Sequence, residues 1–181
     1  MTHVHIVFAH PADRGFTREV LAALQTTLTR QGHTHTLSDL YAMGFRTELS
    51  AAEYARESAY RTDLPVADDV AAEQARLAAA DMWAFVYPVW WADCPAILKG
   101  WFDRVWTAGF AHHTGNPISV RKAVVLCTAG HPLARLEADG LYQAMRATML
   151  IDRIGTRADE AGFILLTRDD NPAEAVEGLF P

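Results

Sequence analysis

The chain has 181 residues, of which 50% are apolar and 21% charged, and its formal net charge is -6. This size and composition predict one globular domain over 1–181 with a buried core. Its basic residues are scattered, which argues against nucleic-acid binding, because phosphate contacts need clustered Lys and Arg. The apolar N-terminal run turns polar at His10, too early for a signal sequence or a membrane span, so we expect no membrane insertion and a cytoplasmic location.

Several familiar site patterns are missing from the sequence. Cys94 and Cys127 form neither a CxxC pair nor a zinc spacing, and we expect reduced thiols. His112 and His113 are adjacent and lack a neighbouring carboxylate or cysteine, so no metal site is predicted. The absence of GxGxxG, GxxxxGK[ST] and GxSxG argues against a Rossmann dinucleotide turn, a P-loop and a serine hydrolase.

The first part of the chain alternates strand and helix patterns. Residues 4–9 form an apolar run of β-favouring types, and 17–31 carry apolar positions at helical spacing before Gly32. A Thr-rich alternation predicts a second strand at 34–40. Residues 41–69 have no clean period and predict a long excursion with some helix, and loops of that length are often functional.

The second part continues the alternation. Helix formers predict a helix over 69–80, and 82–87 is the clearest strand, apolar throughout. Pro95 opens a helix whose apolar stripe reaches Val105. The remaining predicted elements are a strand at 123–127, a helix at 140–152 and a strand at 163–166. This order predicts an α/β three-layer sandwich around a five-stranded parallel sheet in the order 2-1-3-4-5.

Ligands of such a sheet bind at the carboxyl ends of the strands, near the point where strand order reverses. This rule selects the loops at 10–16, 88–94 and 128–132. The first loop leads into a helix whose free N–H groups suit a phosphate, with the Thr17 hydroxyl beside them. His10 either donates to such a phosphate or caps the strand with a backbone hydrogen bond.

The second loop contains two adjacent tryptophans, Trp90 and Trp91. Adjacent side chains point to opposite sides, so both cannot fill one core, and at least one is expected to line a cleft. A flat aromatic wall suits an isoalloxazine ring, whereas the alternative is a packing role for both indoles, such as in a dimer interface. Gly130 in the third loop lets a ring edge approach the backbone, although many ordinary turns contain the same pattern.

Together these segments resemble the NAD(P)H quinone oxidoreductases, the DT-diaphorase-like enzymes with a flavodoxin-like fold. The most specific match is the block 88–105, followed by 109–111. Supporting matches are His10-Pro11, Phe16-Thr17, Asp39-Leu40-Tyr41, Glu73-Gln74, Ala80-Asp81 and Thr128-Ala129-Gly130. The resemblance extends from Val4 to about Gly130 and is weaker beyond it.

The resemblance implies a homodimer with a flavin, FMN or FAD, in each of two interface sites. It also implies ping-pong hydride transfer from NADH or NADPH to a quinone-like acceptor. The flavin-binding residues carried over are His10, Phe16, Thr17, Pro88, Val89, Trp90, Trp91, Thr128, Ala129 and Gly130. The implied substrate pocket contains Trp91, Ala92 and His112, the last as a lid from the partner subunit.

The sequence departs from the family pattern at several positions. Gly15 and Thr17 stand where Ser and Asn are common, and Ala92 stands where a bulky aromatic residue is frequent, which implies a wider pocket. The family's Tyr and His proton relay does not align, so no catalytic acid is identified, and Tyr142 is the nearest candidate. Two alternatives remain: a flavodoxin-type electron carrier and a flavin-binding regulatory subunit of a transporter. The carrier is less favoured because the first loop lacks a Ser/Thr-rich phosphate cradle.

Overall fold

In the computed structural model, which describes residues 1–180, five strands form one parallel sheet in the order β2-β1-β3-β4-β5. The strands are β1 (His3–Phe8), β2 (Thr34–Asp39), β3 (Met82–Pro88), β4 (Val120–Thr128) and β5 (Ala158–Leu166). The helices are α1 (Phe16–Arg30), α2 (Ala51–Ser58), α3 (Asp68–Ala78), α4 (Ala96–Val105), α5 (Leu133–Ala138), α6 (Leu141–Ala147) and α7 (Pro172–Val176). The predicted fold class and strand order are confirmed.

Both faces of the sheet are covered, and β3 is buried at every position. Side chains alternate along a strand, so Trp83 and Phe85 join the core on the side of α4, whereas Ala84 and Val86 join the core on the side of α1. This explains why β3 is apolar throughout rather than alternating. No helix within residues 1–180 has the length and apolar character needed to cross a membrane.

Some elements differ from the predicted ones. The helix inside the long excursion is α2, which begins with a capping box between Ser50 and Glu53. The helix predicted over 140–152 is present but is not α-helical throughout: α6 ends at Ala147, and a π-helical turn, Thr148–Ile154, follows it directly. The first half of β5, residues 158–162, is largely exposed and contains no large apolar residue, so it has no apolar alternation, and its pairing with β4 defines it as strand.

A hydrogen-bonded polar network lies buried against β1 and β2. His5 is fully buried, and its Nδ1 accepts from the Thr36 hydroxyl at 2.9 Å. Ser38 Oγ donates to Oε1 of Glu73 on α3 at 2.9 Å and lies 3.3 Å from His5 Nε2. The Trp101 indole donates to Oε2 of the same carboxylate at 2.8 Å. Because the only hydroxyl proton of Ser38 points to Glu73, Ser38 accepts from His5, which fixes the neutral Nε2–H tautomer.

This network makes the free energy of unfolding depend on pH. Burial, together with the nearby positive charges of Arg76 and His3, lowers the pKa of His5 from 6.5 to about 4. The unfolded chain therefore binds this proton more tightly, so the contribution is fully present above pH 6.5 and is lost as the pH falls towards 4. The expected loss is about 3 kcal/mol.

The measurement is urea unfolding of the wild type and of His5→Gln between these two pH values. Gln keeps an acceptor and a donor but does not titrate, so the stability of His5→Gln should fall less steeply than that of the wild type. Parallel stability curves would show that another group carries the acid sensitivity.

Candidate functional site

Three loops meet at the carboxyl edge of the sheet, at residues 9–15, 89–95 and 129–132. They correspond to the first, second and third loops of the sequence analysis and are called the first loop, the tryptophan loop and the third loop. They follow β1, β3 and β4, and β1 and β3 are the neighbours at which the strand order reverses. The Val89 N–H donates to Thr128 O at 2.7 Å, which joins the tryptophan loop to the end of β4. The hydroxyls of Thr17 and Thr128 lie 2.7 Å apart and join α1 to the same point.

A cleft of about 590 Å³ lies between the tryptophan loop and the third loop. Its size is typical of small-molecule sites. The lining residues are Val89, Trp90, Trp91, Ala92, Ala129, Gly130, His131, Leu136 and Leu141. The structure therefore brings together in one cleft most of the predicted residues of the second and third loops, whereas Pro88 and Thr128 do not line it. Both indoles line it, and Trp91 is completely exposed.

The tryptophan loop is a tight turn with a left-handed centre. The Trp90 N–H donates to Asp93 O at 2.9 Å, and the Asp93 N–H donates to Trp90 O at 3.1 Å. Between them, Trp91 has φ 53° and Ala92 has φ 58°. Turns with two positive φ values favour Asn-Gly, and each residue with a Cβ in this region costs about 1–2 kcal/mol. Backbone strain of this kind is concentrated at ligand sites.

An ion pair from a distant segment holds this turn. Arg153, in the π-helical turn, is buried, and its Nη1 and Nη2 donate to Oδ1 and Oδ2 of Asp93 at 2.8 and 3.1 Å. Burial by itself would raise the pKa of Asp93, but the hydrogen bonds from Arg153 hold that pKa below its ordinary value. π-Helical turns occur frequently at functional sites. The pair therefore ties the tryptophan loop to the segment after α6 with bidentate geometry.

Ala92→Gly is expected to stabilise the protein by about 1 kcal/mol, because Gly adopts the positive φ at position 92 without steric cost. Thermal unfolding should show the melting temperature rising by about 2–4 °C. The matched control is Ala72→Gly in α3, which is exposed at an ordinary helical position and should lose about 1 kcal/mol. A loss of the same size in both variants would contradict the left-handed turn.

The cysteines and the other metal-ligating side chains offer no alternative chemistry here. Cys94 and Cys127 are free and buried. Burial raises the pKa of Cys94 to about 12 and also raises that of Cys127, so neither is poised as a thiolate nucleophile. Among residues 1–180, no group of three or more His, Cys, Asp or Glu is placed to hold a metal ion.

The first loop presents main-chain donors. Gly15 at the N-cap of α1 has no side-chain cap, so the first N–H groups of that helix are available to an anion. The Thr17 hydroxyl shares a hydrogen bond with the Thr128 hydroxyl, and the main-chain N–H of Thr17 in the first turn of α1 is a further donor. His10 Nδ1 accepts from the Ala12 N–H at 3.1 Å, which leaves an Nε2–H as a donor.

Tyr142 and His112, predicted for proton relay and as a lid, do not line the cleft. Tyr142 packs edge-on against Phe163, with 5.8 Å between ring centroids, and does not line the cleft. His112 lines a second, smaller depression, and its Nε2 donates to Trp106 O at 2.9 Å. Their predicted roles, in proton relay and as a lid on a partner subunit, stay predictions.

Several residues of the site were not identified from the sequence. His131 follows Gly130 in the third loop, which the rule that ligands bind at the carboxyl ends of the strands had already selected. Its imidazole side chain is the feature that could have identified it as a site residue. Leu136 lies in a six-residue helix, too short to show a period. No sequence pattern indicated the pairing of Asp93 with Arg153, because Arg153 lies in a π-helical turn 60 residues further along the chain.

Comparison with known proteins agrees with this geometry. The family described as having a flavodoxin-like fold matches residues 2–152. The structure of an NAD(P)H:quinone oxidoreductase from Methanothermobacter marburgensis is 47% identical, with a TM-score of 0.90, covering 96% of this chain and 90% of that one.

Two curated relatives cover the chain less completely. The NAD(P)H dehydrogenase [quinone] 1 of Cavia porcellus is 31% identical over 83% of this chain and 62% of its own length. A ribosyldihydronicotinamide dehydrogenase-like protein of Penicillium crustosum is 37% identical over 62% of this chain. The chain spans between 47% and 62% of the length of these two relatives. On these matches, the chain belongs to the family with the flavodoxin-like fold and is a relative of the NAD(P)H quinone oxidoreductases within it.

Proposed function

We propose that the protein is a flavin-dependent oxidoreductase of the cytoplasm that transfers a hydride from NADH or NADPH to a quinone-like acceptor. The observation that carries this proposal is the cleft at the reversal point of the sheet, walled by the exposed indole of Trp91 on a strained turn. The name of the Methanothermobacter marburgensis relative supports the same reaction.

The cleft residues fit a planar ring with polar edges. Trp91 offers a flat apolar wall, and a Cβ added at Gly130 would meet nothing within 4 Å, so the opposite side is open. The main-chain N–H groups of Ala92 and Gly130 donate to no acceptor within residues 1–180 and are free for ring nitrogen and oxygen atoms. The first turn of α1 and His10 Nε2 would hold a phosphate arm. A flavin, FMN or FAD, supplies two-electron hydride chemistry when bound there.

The protein's own contribution is positioning and exclusion of water. Leu136, Leu141 and Trp91 line the cleft with apolar surface. A donor and an acceptor that share this cleft would bind in turn, which is the ping-pong order. An apolar, planar opening favours an aromatic acceptor such as a quinone over a charged one.

A second copy of the chain would complete this site. Trp91, Leu141 and Ile151 are large apolar side chains exposed in the single chain, and exposed apolar clusters mark interaction sites. A homodimer burying them would shield the cleft further. Sedimentation should give twice the mass of the chain, and a Trp91→Lys variant should shift it towards the monomer, whereas a wild-type monomer would contradict the dimer.

The visible absorption spectrum of the purified protein tests the function. We expect a flavin band that bleaches on anaerobic addition of NADH or NADPH and returns when a quinone is added. A flavin that neither nucleotide reduces would favour the electron-carrier alternative. Reduction with only slow turnover would favour a regulatory subunit, and a colourless protein that FMN and FAD cannot reconstitute would refute the flavin site.

A further inference from the structure

The cleft lining is apolar apart from one titratable side chain. Its nine residues are three aromatic or imidazole side chains, two leucines, a valine, two alanines and a glycine. His131 contributes the imidazole of the lining, a side chain that can donate or accept a proton. The described part of the chain offers the cleft no carboxylate, lysine or tyrosine, since Tyr142 packs against Phe163 instead.

The chemistry of the proposed acceptor creates a need for such a group. Reduction of a quinone to a hydroquinone takes two electrons and two protons. A hydride carries both electrons and one proton, so a second proton must come from another donor. Without it, a phenolate would form in an apolar cleft, where an unpaired charge is costly.

The backbone on both sides of His131 is restricted. The Ala129 N–H donates to Leu166 O at 2.8 Å, which anchors the start of the third loop to β5. Pro132 follows and caps α5, and a residue before proline is restricted to extended conformations. The imidazole of His131 is exposed and makes no hydrogen bond within residues 1–180, so both of its nitrogens are free for a ligand and for water.

We propose that His131 is the general acid that protonates the reduced acceptor, an inference that rests on the proposed function. When the hydride adds to the quinone, one N–H bond of the His131 imidazolium breaks, and that proton joins the phenolate oxygen. The neutral imidazole then takes a proton from water on the open side of the cleft. Electrons come only from the nicotinamide donor, and His131 is neither oxidised nor reduced.

Comparison of two acceptors isolates this step. Ferricyanide accepts electrons without protons, whereas a quinone needs both. His131→Gln should lower turnover with benzoquinone by about 100-fold while turnover with ferricyanide and flavin reduction by NAD(P)H stay unchanged. His33→Gln is the control, because His33 lies at the opposite edge of the sheet, and it should leave both rates unchanged. In His131→Ala, added imidazole should restore the benzoquinone rate selectively.

A binding measurement without turnover gives an independent readout. The para-nitrophenolate ion is a stable analogue of the phenolate product, and its visible band reports binding. Its affinity for the flavin-loaded protein should fall about tenfold or more in His131→Gln, because a charge-assisted hydrogen bond is lost. The affinity of the apoprotein for FMN should not change.

The other possible results of these experiments would each contradict the proposed role of His131, and each points to a different explanation. Equal losses with both acceptors, or weaker FMN binding, would give His131 a role in holding the flavin rather than in proton transfer. Unchanged benzoquinone turnover would remove His131 from the reaction while leaving the proposed function intact. A wild-type protein that no nicotinamide nucleotide reduces would end both.

Discussion

Asp93→Asn is expected to destabilise the protein by about 3 kcal/mol, more than replacement of its partner by Arg153→Met. The asymmetry follows from burial: the Arg153 side chain is 6% exposed and the Asp93 side chain 45%. Removal of the carboxylate leaves a buried guanidinium without a counter-charge. Removal of the guanidinium leaves a carboxylate that water can reach, and Met restores apolar packing against Phe102.

A double-mutant cycle measured by urea unfolding checks this expectation. The double variant Asp93→Asn/Arg153→Met should be more stable than Asp93→Asn alone, because the unpaired buried charge is gone. Asn keeps an oxygen that can accept from the Cys94 N–H, as Asp93 Oδ1 does at 2.7 Å, so the comparison isolates the charge. Equal losses in the two single variants would contradict the burial argument.

The same variants test the link between this ion pair and the cleft. If the pair holds the strained turn, Asp93→Asn should weaken FMN binding by the apoprotein, and Ala92→Gly added to it should recover stability without recovering FMN affinity. Gly relieves the strain at position 92 but does not restore the position of the Trp91 indole. Recovery of both would mean that strain alone, and not positioning, determines affinity.

Arg104→Met is expected to cost about 3–5 kcal/mol, because Arg104 is the centre of a buried ion cluster. Its side chain is fully buried, and Nη2 donates to Glu53 Oε1 at 2.7 Å and to Asp69 Oδ1 at 2.8 Å. Nη1 donates to Arg46 O at 2.9 Å. These bonds tie α4 to the excursion between β2 and α3, and their loss should release that excursion.

Lys99→Met on the same helix is the control. Lys99 and Asp103 form an exposed pair one turn apart, and such pairs contribute less than about 1 kcal/mol. Thermal unfolding should therefore separate the two variants clearly, and limited proteolysis should cut within the excursion only in Arg104→Met. Similar melting temperatures for both would refute the structural role of Arg104.

The cluster also predicts acid sensitivity. Burial would raise the pKa of Glu53, but hydrogen bonds from Arg46, Ser50 and Arg104 lower it from 4.5 to about 2. A lowered carboxyl pKa adds stability that is present above pH 4.5 and is lost as the pH falls towards 2. Arg104→Met should lose part of this dependence, which unfolding curves over that range would reveal.

The sequence by itself determined the α/β class, the order of the sheet and the three loops of the site. These features follow from local properties, namely apolar periodicity, proline and glycine positions, and the rule that ligands bind at the carboxyl ends of parallel strands. The tryptophans of the second loop and Gly130 were found in this way.

Tertiary structure alone decided the rest of the site. The positive φ values of Trp91 and Ala92 oppose local preference, so no propensity could indicate them, and the bidentate pair of Asp93 and Arg153 joins segments distant in sequence. The hydrogen bond between the Thr17 and Thr128 hydroxyls is likewise a long-range contact. Local patterns specify which segments become strands and helices, whereas hydrogen bonds between distant side chains form only once those segments have packed.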